Sequence, residues 1–261
     1  MMVIALLTIA VPAFTQGDST NDATISVTDS RGVTTNLTAP AVHVASFGAF
    51  ATNTLVDIGM LDKAVLFDAT SEFNKSAIPE MQGRSADEFI TVSSANKDVV
   101  VQRMLDLVDD GIWNKSTDVI FGYGYSYLSP TWTELEGLDF KVITFYPKSY
   151  DGIVQVVEDI ETVMGASHDV SDWMEFVKGY IAETLSMNGV DEQSEFVTAI
   201  YASYSSEVLK LGNNGSVTVD FIRYAGGINV AEDANKTSPT SSADFTAILQ
   251  ISPEYVLVDG Y

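Results

Sequence analysis

From residue 25 onward the chain alternates short apolar runs with stretches of helical spacing. Ile25-Ser26-Val27-Thr28 and Val33-Thr34-Thr35-Asn36-Leu37 keep period-two spacing around Asp29-Ser30-Arg31-Gly32, which predicts a hairpin closed by a glycine turn. Residues 42–47 read as a buried strand, 51–58 as a short helix closed by Gly59, and 64–67 as the next strand. Apolar positions 100, 101, 104, 105 and 108 fall on one face of a helix over 98–108. A strand at 118–121 ends in Gly122-Tyr123-Gly124. Ser129-Pro130 then offers a capping hydroxyl and a first-turn proline to a helix that stops at Gly137, and 141–145 is one more strand. Strand and helix in alternation imply crossovers and a mainly parallel sheet.

Between 149 and 187 that rhythm stops. Ile153, Val156, Val157, Ile160, Val163 and Met164 recur at helical spacing, and Trp173, Phe176, Val177, Tyr180, Ile181 and Leu185 resume it after Gly165-Ala166-Ser167. Ser171 with Asp172 is a plausible restart cap, so the span is expected as one long, kinked helix. Alternation then returns, with strands at 196–201, 228–230 and 255–258 and helices at 216–225 and 242–250. The pattern therefore implies an α/β protein of two sheet units joined by a long helix. Its last strand would need cover on both faces, which predicts an incomplete C-terminal part.

The opening is different in kind. Residues 1–14 are apolar and end near Val11-Pro12-Ala13, a signal-like segment too short to span a membrane as a helix. A buried N-terminal helix is the other reading. Residues 15–24 are small and polar, as in a tether. Five N-x-[ST] triplets, at Asn36, Asn74, Asn114, Asn214 and Asn235, permit surface glycosylation of an exported chain.

Composition removes several kinds of chemistry. Thirteen Lys+Arg against 36 Asp+Glu give a net charge of −23, the wrong sign for a nucleic-acid partner. With no cysteine there is no disulfide, thiolate metal site or cysteine nucleophile, and two histidines nearly exclude a histidine-cluster metal site. A hydrophobic content of 46% is enough for packed cores.

Several short motifs occur together. Val27-Thr28-Asp29-Ser30-Arg31-Gly32, followed by Ala39-Pro40 and the strand at 42–46, resembles the opening of ABC-importer solute-binding proteins for iron siderophores, haem and cobalamin. Ala225-Gly226-Gly227-Ile228-Asn229-Val230-Ala231 and Ile251-Ser252-Pro253-Glu254-Tyr255-Val256-Leu257-Val258 are similar to two later motifs of that family, in the same order. The resemblance covers nearly all of 25–261. It implies a class III periplasmic-binding-protein-like fold, two Rossmann-like lobes joined by a backbone helix with the ligand between them. The corresponding division is a signal-like segment (1–14), a tether (15–24), an N-terminal lobe (25–148), a linker helix (149–187) and an incomplete C-terminal lobe (188–261).

It also implies an extracellular or periplasmic receptor, monomeric and possessing no cofactor of its own, that hands a metal chelate to a membrane permease. Such a chain would meet the membrane only through a signal or a lipid or protein anchor. The family's permease-docking glutamates have no counterpart here. Asp98 is the nearest acidic residue in the first lobe, and Asp244 lies two residues before Thr246, which stands where the second glutamate falls.

Open α/β sheets bind ligands at the carboxyl ends of their strands. That rule selects Phe47, Gly48, Asp68, Tyr123, Tyr125, Tyr127 and Tyr146 in the first lobe, and Tyr204 and Tyr261 in the second. Tyrosines offer flat apolar area with a hydroxyl, suited to a bulky planar or macrocyclic guest. Arg223 could meet an acidic group of the ligand or form a structural ion pair.

Other readings compete. Gly124-Tyr125-Ser126-Tyr127-Leu128 lacks the second glycine of a hydrolase nucleophile elbow, and Tyr127 replaces the third glycine of a dinucleotide fingerprint begun by Gly122-Tyr123-Gly124. Asp109-Asp110 reads as a solvated helix end and His43 as a core or rim residue. Trp113, Trp132 and Trp173 are assigned to packing. A non-enzymatic receptor is the primary expectation, with a secreted α/β hydrolase-like enzyme or a cell-surface structural or adhesion protein as the alternatives.

Overall fold

The computed structural model describes residues 24–68, 78–90, 96–190, 197–205, 208–212, 216–231, 240–243 and 245–259. Strands β1 (Ile25–Thr28) and β2 (Thr34–Leu37) form the expected antiparallel hairpin, with Gly32 at φ 79° in its turn. The next strands are β3 (Val44–Ser46), β4 (Ala64–Phe67), β5 (Val119–Tyr123) and β6 (Lys141–Phe145). They make a parallel sheet in the order β4-β3-β5-β6.

Both faces of this sheet are covered, which explains the unbroken apolar runs of its strands. Helix α1 (Ala49–Asp57) and the hairpin pack on one face, around Leu55, Phe67, Phe121 and Val27. Helices α2 (Lys97–Asp109) and α3 (Ser129–Gly137) pack on the other, around Met104, Trp132 and Leu135. Trp132 is fully buried, and a Trp→Ala truncation at such a position costs about 3–5 kcal/mol. Helix α3 takes Leu128 as its N-cap after a short 3-10 turn, so Ser129 makes no cap and Pro130 alone keeps its expected role at the start. Asp109 and Asp110 are the exposed end of α2.

The span 149–187 is not one helix. Helix α4 (Tyr150–Met164) ends where Gly165 adopts φ 66°, a left-handed cap that L side chains rarely tolerate. Helix α5 (Asp169–Met187) runs back along it. The buried Glu161 carboxylate of α4 accepts the Val170 amide at 3.0 Å, the Ser171 amide and the Ser171 hydroxyl, so α4 supplies the cap of α5. The Ser171 side chain is occupied there and does not cap its own helix. Val156, Ile160 and Val163 place α4 in the first lobe's core, and the Ala41 amide donates to the Val163 carbonyl. Helix α5 alone leads onward. Its 19 residues reach about 28 Å, and Trp173, Phe176 and Tyr180 on it are exposed rather than packed.

The second sheet is mixed. Strand β7 (Val197–Ser205) pairs antiparallel with β8 (Val208–Gly212) and parallel with β9 (Gly227–Asn229) and β11 (Tyr255–Asp259), while β10 (Thr240–Ala243) extends β8 antiparallel. Helix α6 (Val217–Tyr224) lies after β8, and α7 (Phe245–Ile251) precedes β11. Ile200, Ala202, Leu209 and Leu211 form its core. The β7–β8 hairpin departs from the parallel expectation. Its signal was the buried alternation Leu209, Leu211 beside Gly212. Residues 242–243 belong to β10, so the helix expected from 242 begins at 245. Strand β11 leaves Tyr255, Val256, Leu257 and Val258 exposed.

Among the described residues no helix is long and apolar enough to cross a membrane. The segments 1–14 and 15–23 and the triplets at Asn74, Asn214 and Asn235 lie outside them, while Asn36 and Asn114 are exposed.

Candidate functional site

In the order β4-β3-β5-β6 the chain direction of travel across the sheet reverses between β3 and β5, and a doubly wound sheet opens a crevice at that point. The carboxyl ends of those two strands carry Phe47-Gly48 and Tyr123-Gly124. Gly48 has φ 135° and is buried. A Cβ there would stand 2.6 Å from the Tyr123 ring, so the missing side chain is the seat of that ring. The backbone amides of Ala49 and Phe50, at the start of α1, act on the Tyr123 phenol and pull its pKa down against burial. A phenol is thereby seated at the switch point beside a helix N-terminus.

Three more tyrosines extend from it. Tyr125 lies 5.3 Å from Tyr123, 5.5 Å from Tyr127 in a stacked pair, and 5.0 Å from Tyr146 at the end of β6. Tyr127 is 64% exposed and Tyr125 37%, so the cluster runs from an anchored ring to an open one. Lys148 holds its ammonium 5.3 Å over the Tyr146 ring. Burial lifts the Tyr123 phenol above its ordinary 10.0, with Tyr125 and Asp68 adding to the effect. Tyr125 is raised by burial too, and by Tyr146 and Tyr127. Both are therefore neutral hydroxyls at neutral pH, hydrogen-bonding groups on apolar plates.

The supports of this cluster explain the short motifs. A Cβ on Gly122 would reach 2.7 Å from Trp132, whose indole donates to the Tyr123 carbonyl at 2.8 Å. One on Gly124 would overlap the Ser30 hydroxyl. Both glycines of Gly122-Tyr123-Gly124 thus answer packing rather than phosphate approach. Asp29, from the first motif, has a fully buried side chain and accepts the Arg31 and Val33 amides at 2.8 and 3.0 Å, and the Thr144 hydroxyl at 2.9 Å. The Ser30 amide donates to the Thr144 carbonyl. The hairpin turn is therefore pinned to edge strand β6, directly before Tyr146. Arg31 completes the anchor through Asp29 and Glu136. Next to it opens a recess of about 290 Å³ lined by Ser30, Thr144, Tyr146, Lys148, Gln155 and Asp159.

The structure brings Gly48, Tyr123, Tyr125, Tyr127 and Tyr146 together, with the buried Asp68 close to Tyr123. Phe47 is not on the open surface. It is 1% exposed and packs on Trp132 at 5.7 Å, so it supports the wall instead of presenting a face. Tyr204 lies near the carboxyl end of β7. Arg223 is on the last turn of α6, 3.4 Å from Asp220, leading to the amino end of β9 and away from the strands' carboxyl ends. Asp98 is exposed at the start of α2. Tyr261 and Asp244 lie outside the described residues. Lys148 is the residue that sequence reasoning missed, although its signal was present: a basic residue after Tyr146-Pro147 in a chain with only 13 Lys+Arg.

Ser126 sits in an exposed 3-10 turn. His43 pairs with the buried Asp118 at 3.2 Å beside the amino end of β3, opposite the cluster, and His168 lies 3.5 Å from Glu161 at the α4–α5 corner. Neither histidine is placed to serve Ser126 as a base. Among the described residues no group of three or more His, Asp or Glu side chains could hold a metal ion.

No protein-family model matches the chain, and no curated protein matches it in sequence. Solved structures do match it in fold. Helicobacter pylori CeuE with Ni(II) bound is similar at TM-score 0.65 and 14% identity, over 90% of this chain and 71% of CeuE. The periplasmic haem-binding protein HutB of Vibrio cholerae is similar at TM-score 0.57 and 12% identity, over 84% and 76%. The periplasmic vitamin B12-binding protein BtuF of the same organism is similar at 0.58 and 17%, over 84% and 77%. At these identities the likeness establishes the fold, that of class III periplasmic binding proteins.

Proposed function

We propose that this protein is an extracytoplasmic receptor that binds a metal chelate of the ferric-siderophore, haem or cobalamin type and delivers it to an ABC-importer permease. The observation that carries the reading is the tyrosine cluster at the switch point of the first sheet, with one ring locked by Gly48 and others left open. Tyr123, Tyr127 and Tyr146 surround Tyr125 at 5.0–5.5 Å, with planes turned 16–59° to its own, a faceted aromatic patch for a guest with a large apolar or macrocyclic face. Their hydroxyls reach polar edges, and Lys148 adds a charge for a carboxylate there. The metal would arrive inside its chelator, so the tyrosine patch needs no metal ligand of its own. Fold neighbours that bind haem, vitamin B12 and nickel support this ligand class.

Capture needs no covalent chemistry. Stacking on Tyr125, Tyr127 and Tyr146 orients the guest, Lys148 selects an anionic edge, and residues near the carboxyl end of β7 face it from the second lobe. Asp98, exposed at the first turn of α2, supplies one acidic contact to a basic permease surface.

Spectral titration with haemin, cobalamin and ferric siderophores tests the reading. Saturable binding at micromolar concentration or tighter, weakened about tenfold in Tyr127→Ala, is the expected result, since one stacked aromatic is worth about 1–1.5 kcal/mol. Absence of binding to all three probes, or ester hydrolysis that disappears in Ser126→Ala, would overturn it.

A further inference from the structure

Helix α4 begins immediately after the cleft loop that carries Tyr146, and its first turn contacts α6 of the second lobe. Ser149 caps it in the ordinary way, its hydroxyl accepting the Gly152 amide at 3.0 Å. The amide of Tyr150, the first helical residue, has no partner within its own helix. It donates at 2.9 Å to the carboxylate of Asp220, seventy residues away on α6 of the second lobe. The rest of the junction is built around that bond. The Tyr150 ring packs edge-on against Tyr224 at 5.2 Å and Phe221 at 6.4 Å, and its hydroxyl donates to the Met174 carbonyl of α5 at 3.0 Å. Lys178 of α5 and the Tyr224 hydroxyl both bond Asp151.

We propose that Asp220 is a positioning residue: a helix cap supplied across the lobes that locks α6 onto the first turn of α4 and so sets the angle of the second lobe over the tyrosine cluster. The placement suits the physics. A carboxylate at a helix N-terminus satisfies an orphan donor and meets the positive end of the dipole. Only Pro147, Lys148 and Ser149 separate Tyr146 from the capped residue, so a guest on Tyr146 and the lobe held by Asp220 act on the same short stretch of backbone. The effect on ligand rests on the chelate-binding reading; the lock itself does not.

The chain has no cysteine, so Asn53→Cys on α1 and Gln250→Cys on α7, both exposed, give a specific spin-label pair spanning the lobes. In Asp220→Ala the inter-lobe distance distribution should broaden. The Tyr150 amide should exchange with solvent about tenfold faster or more, because a hydrogen bond to a charged acceptor is its only protection. Amides of β5 serve as the control for global folding and should keep their wild-type rates. Asp220→Asn retains an acceptor of the same size and should give intermediate exchange, which keeps the test decisive if the alanine variant folds poorly. Haemin affinity, where the wild type binds, should fall several-fold in Asp220→Ala. Unchanged Tyr150 exchange or an unchanged distance distribution would overturn the lock. A wild type that binds no chelate would instead sink the receptor reading and leave these two measurements valid.

Discussion

Replacing Asp29 by alanine is the sharpest probe of how the hairpin holds the site. Its carboxylate is fully buried and accepts the Arg31 amide and Nε at 2.8 Å, the Val33 amide at 3.0 Å, and the Thr144 amide and hydroxyl at 3.2 and 2.9 Å. Truncation leaves these donors inside the protein, and Arg31 keeps only Glu136. Removing one partner of a buried ion pair costs about 3–5 kcal/mol, which lowers the midpoint of thermal unfolding by roughly 10 °C for a lobe of this size. Urea unfolding followed by tryptophan fluorescence reads the loss, since Trp113 and Trp132 both lie in this lobe's core. The pH dependence carries a definite sign. Burial alone would raise the Asp29 carboxyl, but the hydrogen bonds from Arg31, Val33 and Thr144 outweigh it and hold the group below its ordinary 3.8. A depressed carboxyl contributes stability that is complete above the unfolded value and lost as pH falls through the folded one. The gap between wild type and variant should therefore be constant from roughly pH 5 to 8 and narrow below about pH 4. A loss under about 1 kcal/mol, or a gap that widens on acidification, would refute the assignment of Asp29 as the anchor.

Three further outcomes follow from the geometry. Gly48→Ala should cost about 2 kcal/mol, because the backbone is in a region L residues avoid and the new methyl meets the Tyr123 ring; haemin titration should show weaker binding, and an unaffected variant would mean that the ring is not seated there. Glu161→Ala removes the cap of α5 and should lower stability by about 2 kcal/mol in urea unfolding, with Glu161→Gln recovering part; equal effects of both would point to charge alone. Asp159→Asn should raise the unfolding midpoint at pH 7. Burial, with Glu158 adding to it, raises the folded Asp159 carboxyl above 3.8 even though Gln155 hydrogen-bonds to it. Its ionised form is thus a cost to the fold, and the gain should vanish as pH falls below that ordinary value.

Much of this protein was legible in one dimension because its first lobe obeys local rules. Period-two spacing marked the hairpin, unbroken apolar runs marked β3 to β6, and glycine stops ended α1 and α3; the tyrosines after β5 stand at a strand end, where side chains of a doubly wound sheet leave the core. What residue patterns could not show was how elements close on one another. Helical periodicity continues across Gly165, yet the buried Glu161 folds α5 back on α4, a contact between residues whose meeting depends on the corner itself. The same holds for Phe47, which shares the strand end with Gly48 but turns inward onto Trp132. It holds again for Asp220, an unremarkable acidic residue of a short helix until packing sets it against the first amide of α4. Chain order fixes which residues are apolar and where the backbone can turn. Which polar group satisfies which distant donor is decided only when the lobes are assembled, because burial creates the need for that partner.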